Sequence, residues 1–464
     1  MAYRFERVQP ETSGRSASGR QTRVRKKSDT VTQQRAAEER VANALGSRFA
    51  WFLAPVRINA IAEDLRAVER VRDLDLGIVV IAVILSAFSR STDTEGRVRD
   101  AFAVYRQIHT SIDVVDEAFR KAMGRSADVL LHLLGQWMGE LTKADAWAPL
   151  RGRLAFFNDL RMTDSTSFKL TRALVAALPG SGSVAALKLH AVYSVRAQAA
   201  VSVEATAGRE HDSPHFHPAW IAGALYLWDL GYNDYLRVLA AHLAGAYLVQ
   251  RLKDKANLRT LAWYDAQGRR HTVARGSRGA LPKLNDVLAM TSALHDGATM
   301  DLDVVIEGEG VEGVLRVVCV PAEGQDRYYL TNLPREHFSR CDIAELYAAR
   351  WEVELLFKDW QGGCRIDEVA RLSNLNTLRA VIYGGLLAHL LSREVARAAN
   401  PPEEPPNEPA EGDGETSGML LAAEPEGEDE EAQDVSDAVA LESTDDDRAS
   451  PSATSTPVVG AVPP

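Results

Sequence analysis

Cysteine is scarce. The chain of 464 residues has three, Cys319, Cys341 and Cys364, and no Cys-x-x-Cys pair. That excludes a disulfide framework and a cysteine-rich zinc module, and it fits a reducing cytosol. Long apolar runs are missing too. The longest, Leu76 to Phe88, has 13 residues, against about 20 for a bilayer-spanning helix, so it reads as a buried core helix and not as a membrane anchor. The Arg-rich first residues have no apolar segment behind them, which is not the pattern of a signal peptide. No fixed-period repeat is visible.

What is present is ordinary in bulk and uneven in detail. Hydrophobic residues make up 46% and charged residues 25%, as in globular proteins generally, and the length allows two to four domains. The net charge of −11 is misleading. Residues 401–464 hold 18 Asp/Glu and one Arg, a charge of −17, whereas residues 1–400 hold 52 Lys/Arg against 46 Asp/Glu, a charge of +6. A mildly basic body followed by a strongly acidic tail does not exclude a nucleic-acid partner.

Composition divides the chain into six stretches. Residues 1–30 form a basic arm with too few apolar residues to fold; it is disordered by default, and a DNA- or RNA-touching arm in the functional reading. Residues 31–150 are helical, with three- and four-residue apolar spacing as in Leu130, Leu131, Leu134, Trp137, Met138 and Leu141 and breaks expected near Arg90–Glu95 and Gly124–Ser126. This domain either reads DNA or simply packs. Residues 151–254 alternate strands (Leu187–Val195, Ala199–Ala205, Ala224–Trp228, Tyr247–Leu252) with a helix near Asp234–Leu243, the pattern of a sheet covered by helices. Residues 255–325 are a beta-rich insertion of short alternating runs. Residues 326–399 hold the strand Tyr328–Thr331 and two long helices, about Ile343–Trp360 and Leu375–Ala398. The last stretch, 400–464, contains ten of the 19 prolines and is expected to be disordered. The fold class is thus α/β with a helical N-terminal domain.

Three carboxylates stand out. Asp164 ends a segment expected to lead into a helix. Asp229 follows an apolar strand, and ligands gather at the carboxyl ends of strands, although a carboxylate there is often only a strand terminator. Glu354 lies in the helix after Asp342 and Glu345, whose spacing suits a capping box. At about 100° per residue, Tyr347, Arg350, Glu354, Lys358 and Gln361 share one stripe, with Leu346, Val353, Leu356 and Trp360 on the apolar stripe beside it. A plain Arg350–Glu354–Lys358 surface ladder would give the same pattern. Three carboxylates from separate elements, however, suit a hard divalent cation such as Mg²⁺ or Mn²⁺. Two such ions serve phosphodiester displacement, with Arg350 and Lys358 left to hold phosphates. His211, His215 and His217 read as a solvated loop, His190, Trp351 and Trp360 as structural, and Tyr328 as a strand aromatic.

The stretch from Tyr347 to Lys358 resembles the Tyr–Arg–Glu–Lys signature of the DDE transposases of bacterial insertion sequences, the "family four" elements. Their pattern is Tyr, two residues, Arg, three residues, Glu, six residues, Lys. Tyr347, Arg350 and Glu354 match, and Gln361 stands where the pattern has Lys. Asp164–Ser–Thr166 and Asp229–Leu–Gly–Tyr232 are similar to the family's two Asp motifs, with Leu230 in place of the usual Arg. The likeness covers roughly residues 150–395. It implies an RNase H-like mixed sheet interrupted by the beta-rich insertion. It further implies that Asp164, Asp229 and Glu354 bind Mg²⁺, with Mn²⁺ able to substitute, and that Tyr347, Arg350 and Lys358 contact DNA. The activity implied is cleavage of transposon-end DNA and strand transfer into target DNA, by a homodimer on paired ends in the bacterial cytoplasm, at the nucleoid. A metal nuclease without strand transfer and an inactive DNA-binding remnant are the alternatives.

Overall fold

The computed structural model describes residues 46–400, apart from short segments at 69–73, 90–93, 110–113, 144–149, 254–255, 277–278, 296–299, 309, 322–325, 365 and 367–371. The basic arm, the acidic tail and the expected break at Arg90–Glu95 (up to residue 93) lie outside the described residues.

The chain opens with helices: residues 46–52 (α1), Pro55–Asp64 (α2), Leu76–Leu85 (α3), Thr94–Ile108 (α4) and Asp116–Lys143 (α5). The apolar run at Leu76 is the core helix its length implied, and its start is fixed by the Asp75 side chain, which accepts from Ile78 N at 3.1 Å. The break expected at Gly124–Ser126 is absent. Ser126 Oγ turns back to Met123 O at 2.7 Å, so its hydroxyl does not compete for the helix ends. Gly124 faces the start of the C-terminal helix Leu375–Ala399 (α10), near Asn376 and Thr377. α5 and α10 pack side by side with α3 against them. At Gly384 a Cβ would lie 2.6 Å from Val83 Cγ1, so glycine permits the close approach of α10 to α3. The first helices and the last therefore share one hydrophobic core.

Between them runs a ten-stranded mixed sheet in the order β3-β2-β1-β4-β5-β10-β9-β8-β6-β7. Leu160–Leu170 (β1), Ala185–Ser194 (β2) and Ala199–Ala207 (β3) form an antiparallel meander. Leu225–Trp228 (β4) then lies parallel to β1, and Tyr247–Leu252 (β5) parallel to β4, after the crossover helix Tyr235–Leu243 (α6). All four residues of β4 are buried, as its unbroken apolar run requires of a strand covered on both faces. Residues 255–325 add Arg259–Tyr264 (β6), Arg270–Thr272 (β7), the helix Leu284–His295 (α7), Met300–Gly308 (β8) and Val311–Val320 (β9). Their strands continue the same sheet through β9, which pairs with Arg327–Thr331 (β10). Two helices follow, Arg340–Ala348 (α8) and Trp351–Gly362 (α9).

A buried ion pair ties β8 and β9 to the segment that launches α8. Arg316 on β9 is 4% exposed, binds Asp301 on β8 with Nε and Nη2 (Nη2 to Oδ2 2.7 Å), and donates through Nη1 to Phe338 O at 2.8 Å. Removing one partner of such a pair leaves an uncompensated buried charge. Arg316→Ala is therefore expected to lower unfolding free energy by about 3–5 kcal/mol, as read by urea denaturation. A loss below about 1 kcal/mol would show that Asp301 is served by Arg335, 2.8 Å away.

Candidate active site

Two of the expected residues are placed by strand register. Thr163 on β1 is opposite Trp228 on β4, so Asp164 and Asp229 each stand one residue beyond the same rung, on neighbouring parallel strands. Their side of the sheet is that of Met162 and Leu227, which belong to the core shared with the helices. Asp164 does not lead into a helix, as its sequence suggested. It sits mid-strand, because β1 runs on to Leu170 in antiparallel register with β2. Asp229 sits where β4 ends, before the tight turn Leu230–Tyr232.

The helix over these strands is not continuous. Arg350 N, Glu352 N and Val353 N bond to Tyr347 O, Ala349 O and Arg350 O at 3.0–3.1 Å. These i→i−3 bonds tighten the chain between α8 and α9. The capping box is also displaced by one turn from its expected place. Ser339 and Asp342 form it, with Asp342 Oδ2 accepting from Ser339 N at 2.7 Å, and Glu345 takes no part. Glu354 falls in the first turn of α9, where the helix dipole favours a carboxylate.

The tightened junction sends its side chains onto the sheet. Tyr347 Oη donates to Asp229 Oδ1 at 3.0 Å, and its ring tilts against Tyr329 of β10 with centroids 5.1 Å apart. Arg350 bridges two acids: Nη1 donates to Asp164 Oδ2, and Nη2 to Glu354 Oε1 at 3.1 Å. Gln361 Nε2 reaches Thr166 Oγ1, two residues beyond Asp164, at 3.5 Å. Asp164, Asp229, Tyr347, Arg350 and Glu354 thus meet on one sheet face, just past the last parallel rung of β1 and β4. Charge follows burial there. Desolvation, reinforced by the Asp229 and Glu354 charges, pushes the Asp164 carboxyl up to about 6 against the opposing pull of Arg350 and of the Ser165 amide. Burial raises the Tyr347 phenol, with Asp229 adding to it. Burial would lower the Arg350 guanidinium, but Asp164 above all holds it raised.

A family model described as Transposase DDE domain matches residues 156–391, which is half of the chain and includes all of these residues. The chain belongs to the transposase DDE-domain family. Its relatives are distant. The transposase for insertion sequence element IS231C of Bacillus thuringiensis subsp. berliner is 21% identical over 375 residues, covering 72% of this chain and 76% of that protein. The transposase for IS1151 of Clostridium perfringens is 22% identical over 277 residues, 52% of this chain and 57% of that protein. The putative transposase y4zB of Sinorhizobium fredii is 26% identical over 239 residues, 51% of this chain and 61% of that protein. For the last two, the match spans less than two thirds of the relative's length. A solved piggyBac transposase synaptic complex with hairpin DNA matches 77% of this chain at 10% identity and a TM-score of 0.34, too loose a superposition to carry an inference.

The DDE-domain family implies a divalent metal ion, and the donors of this member fit one in chemistry. Arg350 pairs with Asp164 and Glu354, Asp229 stands beside them, and burial more than the neighbouring acids raises the Asp164 carboxyl. Every carboxylate donor is a hard oxygen. Among the described residues no three acidic, His or Cys side chains already stand as a metal cluster, and Arg350 lies between Asp164 and Glu354.

Lys358 is the one expected member that does not join this DDE-domain site. It is exposed on α9 and lies over the Trp351 ring, 4.5 Å from its centroid. Trp351 itself is half-buried rather than core, unlike Trp360. Sequence reasoning missed Arg251. It is exposed on β5, two residues beyond Val249 on the face of Asp229, and opposite Tyr329 on β10. Its two-residue spacing from Val249 was the available signal.

The Asp164 shift has a stability consequence. Its folded pKa lies above the unfolded one, so the folded state holds the proton longer and stability falls as pH rises from about 4 to about 6, then levels off. In metal-free buffer Asp164→Asn should gain on the wild type by on the order of 2–3 kcal/mol across that window and no further above it. Chemical denaturation at stepped pH checks this, and a constant difference from pH 4 to 8 would place Asp164 in water.

No described helix is long and apolar enough to cross a membrane.

Proposed function

We propose that this chain is a transposase that cuts the DNA ends of an insertion element and joins them to target DNA, with Asp164, Asp229 and Glu354 holding two Mg²⁺ ions. The observation that carries the proposal is the in-register pair Asp164–Asp229 on parallel strands, faced by Glu354 across a single guanidinium. When bound, such ions supply activation of the attacking oxygen and neutralisation of the leaving one, and Mn²⁺ would substitute. The chain's own part is to bind and orient. Tyr347 aims its hydroxyl at Asp229, Arg350 fixes Asp164 relative to Glu354, and the exposed cations Arg251 and Lys358 hold DNA phosphates. The β3-β2-β1-β4-β5 half of the sheet is read as an RNase H-like core, on the strength of an antiparallel meander followed by two parallel strands. Residues 151–254 and 326–399 are assigned to that core and 255–325 to its insertion. The resemblance further suggests a homodimer on paired ends, acting in the bacterial cytoplasm at the nucleoid.

Incubation with Mg²⁺ and DNA carrying the repeats that flank its gene tests the proposal. Joined product is expected. Cut but unjoined DNA would make the chain a nuclease, and bound but uncut DNA an inactive remnant. In the same assay Arg251→Ala and Lys358→Ala should each weaken end binding and reduce its salt dependence by about one unit of slope. Unchanged slopes would take both residues off the DNA path.

A further inference from the structure

The reverse face of the sheet, directly behind the acids, carries a buried polar chain. Ser165 follows Asp164 and so points to the opposite side of β1, where its strand partner is His190 on β2. His190 is 3% exposed. Its Nδ1 lies 3.0 Å from Tyr232 Oη and its Nε2 3.0 Å from Thr206 Oγ1. Tyr232 is 1% exposed and closes the turn after Asp229, with its backbone N bonded to Asp229 O at 3.0 Å. A second link runs beside the first. Asp212 accepts from Ser165 Oγ at 3.1 Å and from Lys188 Nζ at 2.9 Å. It also packs on the same turn: a Cβ at Gly231 would lie 2.8 Å from Asp212 Oδ2, so a side chain there would push the carboxylate aside. The loop expected to be solvated thus takes part. His211 and His217 are exposed, but His215 is clamped between Glu204 (2.9 Å) and Glu210 (3.0 Å) and stacks on the His190 ring.

We propose that His190 is a positioning residue that sets the spacing of Asp164 and Asp229, acting through the Tyr232 hydroxyl. The proposal rests on the reading of the acids given above and assigns a role to the Gly–Tyr that follows Asp229. On the acid-bearing face the two aspartates are hydrogen-bonded by different side chains, Asp164 by Arg350 and Asp229 by Tyr347. The tether through Tyr232, His190 and Asp212 joins their two segments from behind. Burial keeps the imidazole neutral, with its pKa pushed down to about 4, so it offers one donor and one acceptor. Thr206 Oγ1 has Ala207 O as a second neighbour at 3.5 Å, and we assign its proton there. Nε2–H then donates to Thr206, and Tyr232 O–H donates to Nδ1.

This arrangement makes two near-isosteric replacements differ. Asparagine can put a carbonyl oxygen where Nδ1 was and keep the Tyr232 bond. Glutamine can put an amide where Nε2 was and keep only the Thr206 bond. Four variants would be compared with wild type: His190→Asn, His190→Gln, Tyr232→Phe and the Gln/Phe double. Each is measured for end cleavage under saturating DNA, for Mn²⁺ affinity by electron paramagnetic resonance without DNA, and for its unfolding midpoint. His190→Asn is expected within about threefold of wild type in cleavage and Mn²⁺ affinity. His190→Gln and Tyr232→Phe should each lose tenfold or more in both, with unchanged DNA affinity, and the double variant should lose no more than either single, as for residues acting as one unit. Equal behaviour of the Asn and Gln variants, or losses that multiply, would overturn the proposal. If a His190 variant lowers the unfolding midpoint sharply, Tyr232→Phe, which removes one hydroxyl, decides alone. Asp164→Asn run alongside separates the two claims. If it cleaves and binds Mn²⁺ like wild type, the reading of the acids fails, and the tether with it. If it is inactive while Tyr232→Phe is normal, only the tether fails.

Discussion

Asp164→Asn, Asp229→Asn or Glu354→Gln is expected to lower the rate of DNA-end cleavage by roughly 10³-fold or more, the largest effect any single change in this chain should have. Each substitution keeps the shape of the side chain and removes its charge. Asp164 and Asp229 stand side by side beyond one rung of the β1–β4 pair, and Glu354 reaches the same space from the first turn of α9. On the proposed reading, loss of any one carboxylate removes a third of the negative charge and a hard oxygen donor from the metal site. Affinity for end DNA should stay within about threefold, because it rests on phosphate contacts made by other residues. Single-turnover cleavage and end binding, measured on the same preparations, check both halves. Cleavage within tenfold of wild type in any variant would remove that residue from the site.

The second large effect is expected at Arg350, and charge alone should not rescue it. The guanidinium spans two acids on different elements, Asp164 on the sheet and Glu354 on the helix, with one terminal nitrogen for each. Its planar fork fixes both distances at once, whereas a lysine ammonium is a point charge on a flexible stem. Arg350→Lys should therefore lose on the order of 10²-fold in cleavage, the scale found when one preorganised donor is removed. Arg350→Ala should lose more, since it also leaves Asp164 without its partner. A lysine variant with near-normal cleavage would mean that position 350 supplies only positive potential.

Much of this site was legible because it lies on regular elements. Strand alternation located β4, β5 and β10 to within a residue or two, and the helical stripe brought Tyr347, Arg350 and Glu354 to one face. What escaped depends on long-range pairing. The sequence around Asp164 lacks an apolar run, so its strand is visible only once β2 supplies the partner. The tightened junction at Arg350 has no proline or glycine to announce it; it comes from hydrogen-bond register. The helix break assigned to Gly124–Ser126 failed because packing against α10 outweighs local propensity. Residues 255–325 do carry four strands among the described residues, but their continuation of the main sheet through β9 and β10 is a pairing that composition cannot encode. His190 and Asp212 looked unremarkable because they lie on the reverse face, 39 and 17 residues before Asp229 by their numbers, and meet its turn only in the fold.

The most direct measurement of the central claim, that these carboxylates hold the metal that cuts DNA, is a change of donor atom. Asp229→Cys replaces a hard oxygen with a thiolate, which suits softer ions and disfavours Mg²⁺. End cleavage by this variant would be followed in Mg²⁺, Mn²⁺ and Cd²⁺ beside wild type. Cleavage lost in Mg²⁺ and partly restored in Cd²⁺ or Mn²⁺ is the predicted result. Cleavage by Asp229→Cys in Mg²⁺ at the wild-type rate would contradict the account.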